Sequence, residues 1–188
     1  MNFFVTLWSI MTKYELVAKL HDIEWEDFEV KSAKSELPKN IWESVSAFSN
    51  TSGGWIVLGV KQSGKLFEIQ GVDNIEKLEQ DFLGTLRSEK FNQKISVSSK
   101  FYDIEGKKLL AFYIPEVEMK PVYFGNPINT FIRMGSGDQR ATEGEIRAMF
   151  RDQSFGNKTE ESIPDTSIEV SRAIHNYFCV FVTVRSLS

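Results

Sequence analysis

The sequence is poor in the residues that most often hold metals or act as nucleophiles. It contains one cysteine, Cys179, and two histidines, His21 and His175. A lone cysteine forms no disulfide within the chain, which is typical of a reducing, cytoplasmic compartment. The two histidines lie on separate segments and Cys179 lies in an apolar run, so the sequence predicts neither a zinc site nor a cysteine–histidine nucleophile. We expect no metal and no cofactor.

Long apolar segments and an excess of positive charge are also absent. The apolar residues 1–11 contain no basic residue and no small-residue cleavage site, which argues against a secretory signal. They are too few to span a bilayer, so we expect no membrane association and treat residues 1–13 as an N-terminal extension. The formal net charge is -4 at pH 7. A chain of this charge binds nucleic acid only where lysine and arginine cluster locally.

Hydrophobic periodicity, in contrast, is well developed. Apolar residues at helical spacing predict helices at residues 14–20, 38–50, 75–86 and 142–150. Alternating or continuous apolar runs predict strands at residues 28–31, 55–60, 66–69, 95–102, 108–114, 122–124 and 130–133. Because helices and strands do not alternate strictly, we predict a single α+β domain over residues 14–155, with a mixed, mostly antiparallel sheet and flanking helices. Residues 156–188 are expected to form a linker and a C-terminal segment that is either truncated or binds a partner.

Turn residues predict how the strands pair. The run at 55–60 is apolar throughout, which predicts a central strand buried on both faces. A turn at 62–65 predicts that residues 66–69 return as its hairpin partner. Two further hairpins are predicted, one around Glu105-Gly106 and one around residues 125–127.

A set of motifs in one order runs through most of the chain. It begins with Glu24 and Glu29-Val30-Lys31, continues with residues 45–54, which end in Gly53-Gly54, and then with the apolar residues 56–60. Further pieces follow at Gly71-Val72 and at residues 120–123, 132–136 and 140–142. In this order the motifs resemble the signature of Schlafen-type AlbA-like domains.

The resemblance implies a compact α+β domain that binds nucleic acid, either DNA or RNA. Such domains form the N-terminal part of bacterial and archaeal transcriptional regulators, which often carry an ATP-binding region or a winged helix further on. We therefore expect the nucleic-acid-binding domain of a transcriptional regulator. A homo-oligomer and a missing C-terminal domain are both compatible with this expectation.

The same resemblance implies a catalytic alternative. In animal Schlafen proteins a related domain cleaves structured RNA with acidic residues that hold a divalent metal, and two of these match Glu24 and Glu29. The third family carboxylate follows the central strand, where this chain has Lys61-Gln62. Mg²⁺ or Mn²⁺ needs enough oxygen ligands near the scissile phosphate, so the missing carboxylate disfavours an enzyme. A metal-dependent ribonuclease remains the alternative function.

Lysines around the predicted first strand are the first candidate phosphate contacts. Lys31 lies two residues after Glu29 and therefore shares its strand face. Two interpretations are open: a phosphate contact supported by Lys34 and Lys39 in the following loop, or cross-strand pairing on an ordinary polar face. The resemblance favours the phosphate contact.

Arg133, Ser136 and Arg140 form the second candidate contact. Here a strand that ends in Arg133 continues into a Gly/Ser loop, and Thr142 and Glu145 form a capping box at the start of the last helix. Backbone amides and the helix dipole attract phosphate at such a position, and the two arginines would add charged hydrogen bonds. The open alternative is that Arg133 pairs with a carboxylate and the loop is only a turn.

Asn50, Gly53 and Gly54 are interpreted as a structural turn. Asparagine and glycine tolerate left-handed backbone, and glycine permits the close approach of another segment. The turn follows a helix C-terminus, whose dipole disfavours phosphate, and it lacks the lysine of a nucleotide-binding loop. A protein-interaction module that does not bind nucleic acid is the remaining function compatible with the acidic charge.

Overall fold

The computed structural model describes residues 11–21, 26–64 and 66–162. The helices are α1 (Lys13–His21), α2 (Ile41–Asn50), α3 (Ile75–Arg87) and α4 (Glu143–Ser162), with a short 3-10 helix at Pro127–Asn129. The strands are β1 (Phe28–Lys31), β2 (Gly54–Leu58), β3 (Val60–Ser63), β4 (Leu66–Ile69), β5 (Ser98–Ile104), β6 (Lys107–Ile114), β7 (Phe131–Met134) and β8 (Gly137–Arg140). The chain is an α+β protein, as predicted.

The chain forms two compact units, Met1–Phe150 and Arg151–Ser188. The first unit holds every strand that the structure describes. In the second unit, residues 151–162 are helical. The N-terminal part of the predicted linker is therefore helical. The remainder of the predicted C-terminal segment lies outside the described residues. Among the described helices, none is both long enough and apolar enough to cross a membrane.

A four-stranded sheet in the order β1-β2-β6-β5 forms the centre of the first unit. Strands β1 and β2 are parallel and the other pairs are antiparallel, including the hairpin β5–β6 predicted around Glu105-Gly106. Helices α2 and α3 cover one face of the sheet, through residues such as Phe48 and Phe82, and α1 covers the other through Leu16. Because both faces are covered, β2 is buried along its whole length, which confirms the prediction from its apolar run.

The prediction of a single strand over residues 55–60 is wrong at its C-terminal end. Gly59 has a φ of +93° and divides the apolar run into β2 and β3. A Cβ at Gly59 would lie 2.9 Å from Cδ2 of Leu109 and 3.0 Å from the carbonyl carbon of Gly71, so only glycine fits at this approach. Strand β4 therefore pairs with β3 in a separate two-stranded sheet, and not with the central strand.

The prediction of a hairpin around residues 125–127 is also wrong for the most part. Its two segments are joined by one bridge, between Tyr123 and Thr130. Strand β7 pairs instead with β8, and the turn between them contains Gly135, which has a φ of +59°. Strand β7 therefore does belong to a hairpin, but its partner strand lies on its C-terminal side, where the sequence predicted a loop.

Tyr102 joins the sheet to Met11, two residues before α1, and its titration gives a testable effect of pH. Its hydroxyl donates to the Met11 carbonyl oxygen at 2.6 Å. Burial first, and then the Glu15 carboxylate, raises the pKa of Tyr102 from 10.0 to about 12. Because the folded state holds this proton more tightly, the stabilisation is complete below pH 10 and is lost as the pH rises through about 12. We expect the free energy of unfolding to fall more steeply over this interval than in Tyr102→Phe, as measured by urea denaturation. Parallel curves for the two proteins would contradict this expectation.

Candidate functional site

A buried charge cluster, consisting of Glu29, Lys31, Arg133 and Asp138, joins β1 to the β7–β8 hairpin. The Arg133 side chain is 3% exposed, and its Nη1 donates to Glu29 Oε2 at 3.0 Å and to Asp138 Oδ1 at 2.8 Å. The guanidinium also lies 4.9 Å from the centre of the Phe48 ring in α2. Arg133 is thus paired with carboxylates, which is one of the two interpretations that its sequence position left open.

Two backbone carbonyls complete the surroundings of Arg133. Its Nη2 donates to the Phe28 carbonyl at 2.9 Å, and its Nε donates to the Glu26 carbonyl at 3.0 Å. A planar guanidinium carries five donors in a fixed fork, so it can bind two carboxylates and two carbonyls at once. The side chain therefore fastens the β7–β8 hairpin to the beginning of β1.

The carboxylates of the charge cluster have two further partners, Lys31 within the cluster and Ser44 beside it. Lys31 Nζ lies 2.9 Å from Glu29 Oε1, and the Lys31 side chain is 9% exposed. Ser44 of α2 donates to Asp138 Oδ2 at 2.5 Å. The two cations and two anions of the cluster balance within the protein. Lys31 and Arg133 consequently present no uncompensated charge to a phosphate.

The predicted catalytic carboxylates do not form a metal site in the described part of the chain. Both carboxylate oxygens of Glu29 contact cations of the charge cluster. Glu24 lies outside the described residues. Lys61 and Gln62, which stand where the family has its third carboxylate, are exposed on β3. Within residues 11–21, 26–64 and 66–162, no group of three or more histidine, cysteine, aspartate or glutamate side chains could hold a metal ion.

Lys34 and Lys39 lie in the connection between β1 and α2, and both are exposed. The Lys34 carbonyl accepts a hydrogen bond from the Asp73 amide at 2.8 Å, which anchors this connection. Neither lysine forms an ion pair with a carboxylate of the described residues. The structure therefore separates the predicted lysines, with Lys31 inside the charge cluster and Lys34 and Lys39 at the surface.

Ser136 and Arg140 belong to the β7–β8 hairpin and not to a loop that leads directly into a helix. Ser136 is exposed in the turn. Arg140 Nη1 donates to the Ile128 carbonyl at 2.7 Å and to Asn129 Oδ1 at 2.8 Å, and its guanidinium lies 4.8 Å from the centre of the Phe131 ring. All of these partners are neutral, so Arg140 keeps an uncompensated positive charge at the surface.

The N-terminus of α4 is capped by its own residues, as its sequence predicted. The Thr142 amide donates to Glu145 Oε2 at 2.7 Å, and the Glu145 amide donates to Thr142 Oγ1 at 3.3 Å. Hydrogen bonds from Thr142, first from its backbone amide and then from its hydroxyl, lower the pKa of the Glu145 carboxyl. A carboxylate therefore occupies the position at which a phosphate would meet this helix end.

Gly53 and Gly54 make the turn between α2 and β2 possible. Gly53 has a φ of +73°, and a Cβ on it would lie 2.9 Å from the Ile114 carbonyl oxygen. A Cβ on Gly54 would overlap the ring of Phe48. Any other residue at these two positions would displace a core ring or the neighbouring strand β6.

Asn50 has a role beyond the turn itself. The residue is 4% exposed, and its Nδ2 donates to the Val122 carbonyl at 2.8 Å and to the Phe131 carbonyl at 2.9 Å. Its Oδ1 accepts a hydrogen bond from the Val122 amide at 2.8 Å. The one side chain therefore holds two distant backbone segments against the end of α2.

An open cavity of about 590 Å³ lies between this turn and Arg133. Trp55 and Tyr113 form an aromatic wall, with ring centres 5.3 Å apart, and Glu26 and Asp27 also line the cavity. Burial first, and then the carboxylates of Asp27 and Glu116, raises the pKa of the Tyr113 hydroxyl. Arg133, the cation of this lining, is neutralised in the charge cluster, so the cavity offers no uncompensated positive charge to a phosphate.

A further group of residues was not predicted from the sequence. We call it the aromatic–cation surface, and it consists of Trp42, Lys90, Tyr123, Phe124 and Arg140. Lys90 Nζ lies 5.1 Å from the centre of the Trp42 ring and 5.8 Å from the centre of the Phe124 ring. The members come from α2, from the segment after α3, from the segment before β7 and from β8, so no local pattern links them. Arg140 alone was a predicted contact, and for the other members the aromatic content of 13% was the sequence signal.

The fold and the charge cluster define a small α+β domain with a covered mixed sheet and an arginine-anchored hairpin. The family model described as Schlafen, AlbA_2 matches residues 24–142. The chain belongs to this family, as its motifs predicted.

Several solved structures are similar to the chain, and two of them are described. One is the N-terminal domain of a RecG-related protein from Nitrosomonas europaea, at 24% identity and a TM-score of 0.54, covering 71% of this chain and 95% of that one. The other is a protein from Corynebacterium diphtheriae, at 20% identity and a TM-score of 0.43, covering 68% of this chain and 24% of that one. No curated protein sequence matches the chain. The first similarity shows a shared fold.

Proposed function

We propose that this domain binds nucleic acid through exposed basic residues that contact the phosphate backbone. The observation that carries the proposal is the division of the predicted basic residues into two sets. Lys31 and Arg133 are neutralised inside the charge cluster, whereas Lys34, Lys39 and Arg140 are exposed and form no ion pair with a described carboxylate. Ser136, exposed in the turn of the same hairpin as Arg140, adds a hydroxyl donor.

Family membership supports this proposal. Domains of the Schlafen, AlbA_2 family are expected to serve nucleic-acid-related functions, and the similar domain from Nitrosomonas europaea belongs to a protein whose name relates it to an ATP-dependent DNA helicase. The finer role that we propose is that of a nucleic-acid-binding domain in a cytoplasmic transcriptional regulator.

The acidic net charge limits the proposal to a local mode of binding. Phosphate contacts depend on the cations close to the backbone and not on the total charge of the chain. A protein that makes few contacts also has a shallow salt dependence, which makes the number of contacts measurable.

The affinity for labelled duplex DNA and for RNA should fall with salt, as followed by fluorescence anisotropy. With three phosphate contacts we expect a slope of about -2 to -3 in a plot of log affinity against log salt concentration. Lys39→Ala should reduce the magnitude of the slope by about 1, because it removes one contact. The matched control is Lys13→Ala, an exposed lysine on α1 across the sheet, and it should leave the slope unchanged. Undetectable binding, or an affinity that does not change with salt, would contradict the proposal.

A further inference from the structure

We propose that the aromatic–cation surface binds the unpaired bases of single-stranded nucleic acid. This inference rests on the proposed function and specifies which form of nucleic acid the domain prefers. Its basis is the combination, on one surface, of aromatic rings with cations that have no carboxylate partner.

Two rings of this surface each stack on a buried ring of the core. Trp42 stacks on Phe82, with ring centres 5.4 Å apart and an angle of 17° between the planes. Phe124 stacks on Phe131, with ring centres 6.0 Å apart and an angle of 5°. Each outer ring, Trp42 and Phe124, is half-buried, so the core holds it in place while part of it remains open to solvent. Fixed, partly open rings are the platforms on which unpaired bases stack.

The cations of this surface are held by rings and neutral oxygens. Lys90 lies over Trp42 and Phe124 and forms no ion pair with a carboxylate of the described residues. Arg140 lies over Phe131 and donates only to neutral oxygens. Both charges are therefore available to phosphates that flank a stacked base. The flexible Lys90 side chain can turn from the rings to a phosphate and so open both rings to a base.

Positive charge is concentrated in the segments that form this surface. Its segments are residues 39–43, 86–94 and 121–130, together with Arg140. They contain five basic residues and two acidic residues, in a chain with a net charge of -4. The exposed side chain of Ile128, at 64%, adds apolar area beside Arg140. Positive charge next to aromatic and apolar area is complementary to a single strand, which presents phosphates and open base faces together.

The backbone beneath this surface is held by hydrogen bonds. The Asn92 side chain donates to the Pro121 carbonyl at 3.0 Å and accepts from the Tyr123 amide at 2.8 Å. The Gly125 amide donates to the Lys90 carbonyl at 3.1 Å. Because these bonds join the segment after α3 to the segment before β7, the rings keep their positions without a ligand, which lowers the cost of ordering on binding.

The test compares one short mixed-sequence oligonucleotide as single-stranded DNA, as single-stranded RNA and as duplex DNA, at one low salt concentration. Fluorescence anisotropy measures the affinity, and quenching of tryptophan fluorescence reports stacking. The variants are Trp42→Leu and Lys90→Met, with Lys13→Met as the control for loss of one exposed lysine. Circular dichroism checks that each variant is folded, and Lys90→Met tests the surface without altering a ring.

We expect the single strands to bind more tightly than the duplex and to quench tryptophan fluorescence. Trp42→Leu should weaken single-strand binding about tenfold and remove the quenching, because one stacked base contributes roughly 1–3 kcal/mol. Lys90→Met should weaken it several-fold, and Lys13→Met should not.

Three results would overturn the inference in distinguishable ways. Equal binding of duplex and single strands, unaffected by both variants, would leave the proposed function standing and remove this surface from it. Absence of binding to all three nucleic acids would remove both proposals. Binding of an acidic, aromatic peptide that Trp42→Leu and Lys90→Met weaken, without binding of single strands, would assign this surface to a protein partner instead.

Discussion

Replacing Arg133 with methionine should lower the free energy of unfolding by about 3–5 kcal/mol, the usual cost of removing one partner from a buried ion pair. The change leaves Asp138 with the Ser44 hydroxyl beside the charge cluster, and Glu29 with Lys31 inside it. It also removes the donors to the Phe28 and Glu26 carbonyls. Because a small domain has a free energy of unfolding of about 5–15 kcal/mol, this one change would remove a large part of its stability. Urea denaturation followed by circular dichroism measures the loss.

Two further variants separate the charge of Arg133 from its shape. Arg133→Lys keeps the charge, but an ammonium cannot reach both carboxylates and both carbonyls, so we expect an intermediate loss. In a double-mutant cycle with Asp138→Ala, the coupling energy should reach about 1–3 kcal/mol, since the two side chains are in contact. If Arg133→Met instead cost less than about 1 kcal/mol, the usual value of an exposed ion pair, the charge cluster would not anchor the hairpin.

Asn50→Ala should destabilise the protein by about 3 kcal/mol, because it leaves buried backbone groups of two segments without partners. The Val122 amide and the Phe131 carbonyl lose their Asn50 partner, and the Val122 carbonyl keeps the Ser46 hydroxyl, which donates to it at 2.7 Å. Asn50→Asp retains only the acceptor for the Val122 amide and adds a buried charge next to carbonyl oxygens. We therefore expect Asn50→Asp to be at least as destabilising at neutral pH.

The adjacent residue provides a matched control for Asn50. Ser49 is fully buried on the same helix, and its hydroxyl has no hydrogen-bond partner among the described residues. Ser49→Ala removes an unsatisfied polar atom, so we expect a change of less than about 0.5 kcal/mol or a small gain in stability. Equal losses for Ser49→Ala and Asn50→Ala would show that the hydrogen bonds of Asn50 are not the source of its effect.

The elements of this fold follow closely from local sequence patterns, and the failures occur at single residues. The prediction of β1 rests on the alternation of apolar and charged residues, and that of the capped start of α4 rests on a capping box. Both patterns involve residues that are neighbours in the chain. The division of the central run at Gly59 could not be predicted, since its positive φ is needed only where Leu109 and Gly71 approach. The partner of β7 was missed for a related reason, because Gly135 served as a hairpin turn inside a segment that also suited a loop.

The candidate site was less predictable than the fold. The lysines and arginines were identifiable as residue types, but their exposure was not. Lys31 and Lys34 are three residues apart, and one is inside the charge cluster while the other is at the surface. Trp42 and Lys90 had no common pattern, because their contact joins the start of α2 to the segment after α3.

Local order in this chain, its family and its α+β class were already contained in the amino-acid sequence, because periodicity, caps and turns act between neighbouring residues. Which charges cancel and which remain for a ligand was decided by the tertiary structure alone. Arg133 and Glu29 lie 104 positions apart, and only the tertiary packing of the β7–β8 hairpin, which contacts α2, brings their side chains to 3.0 Å. Once buried, that pair is closed to a ligand, and in the proposed function recognition depends on the cations that the fold leaves without a carboxylate partner at its surface.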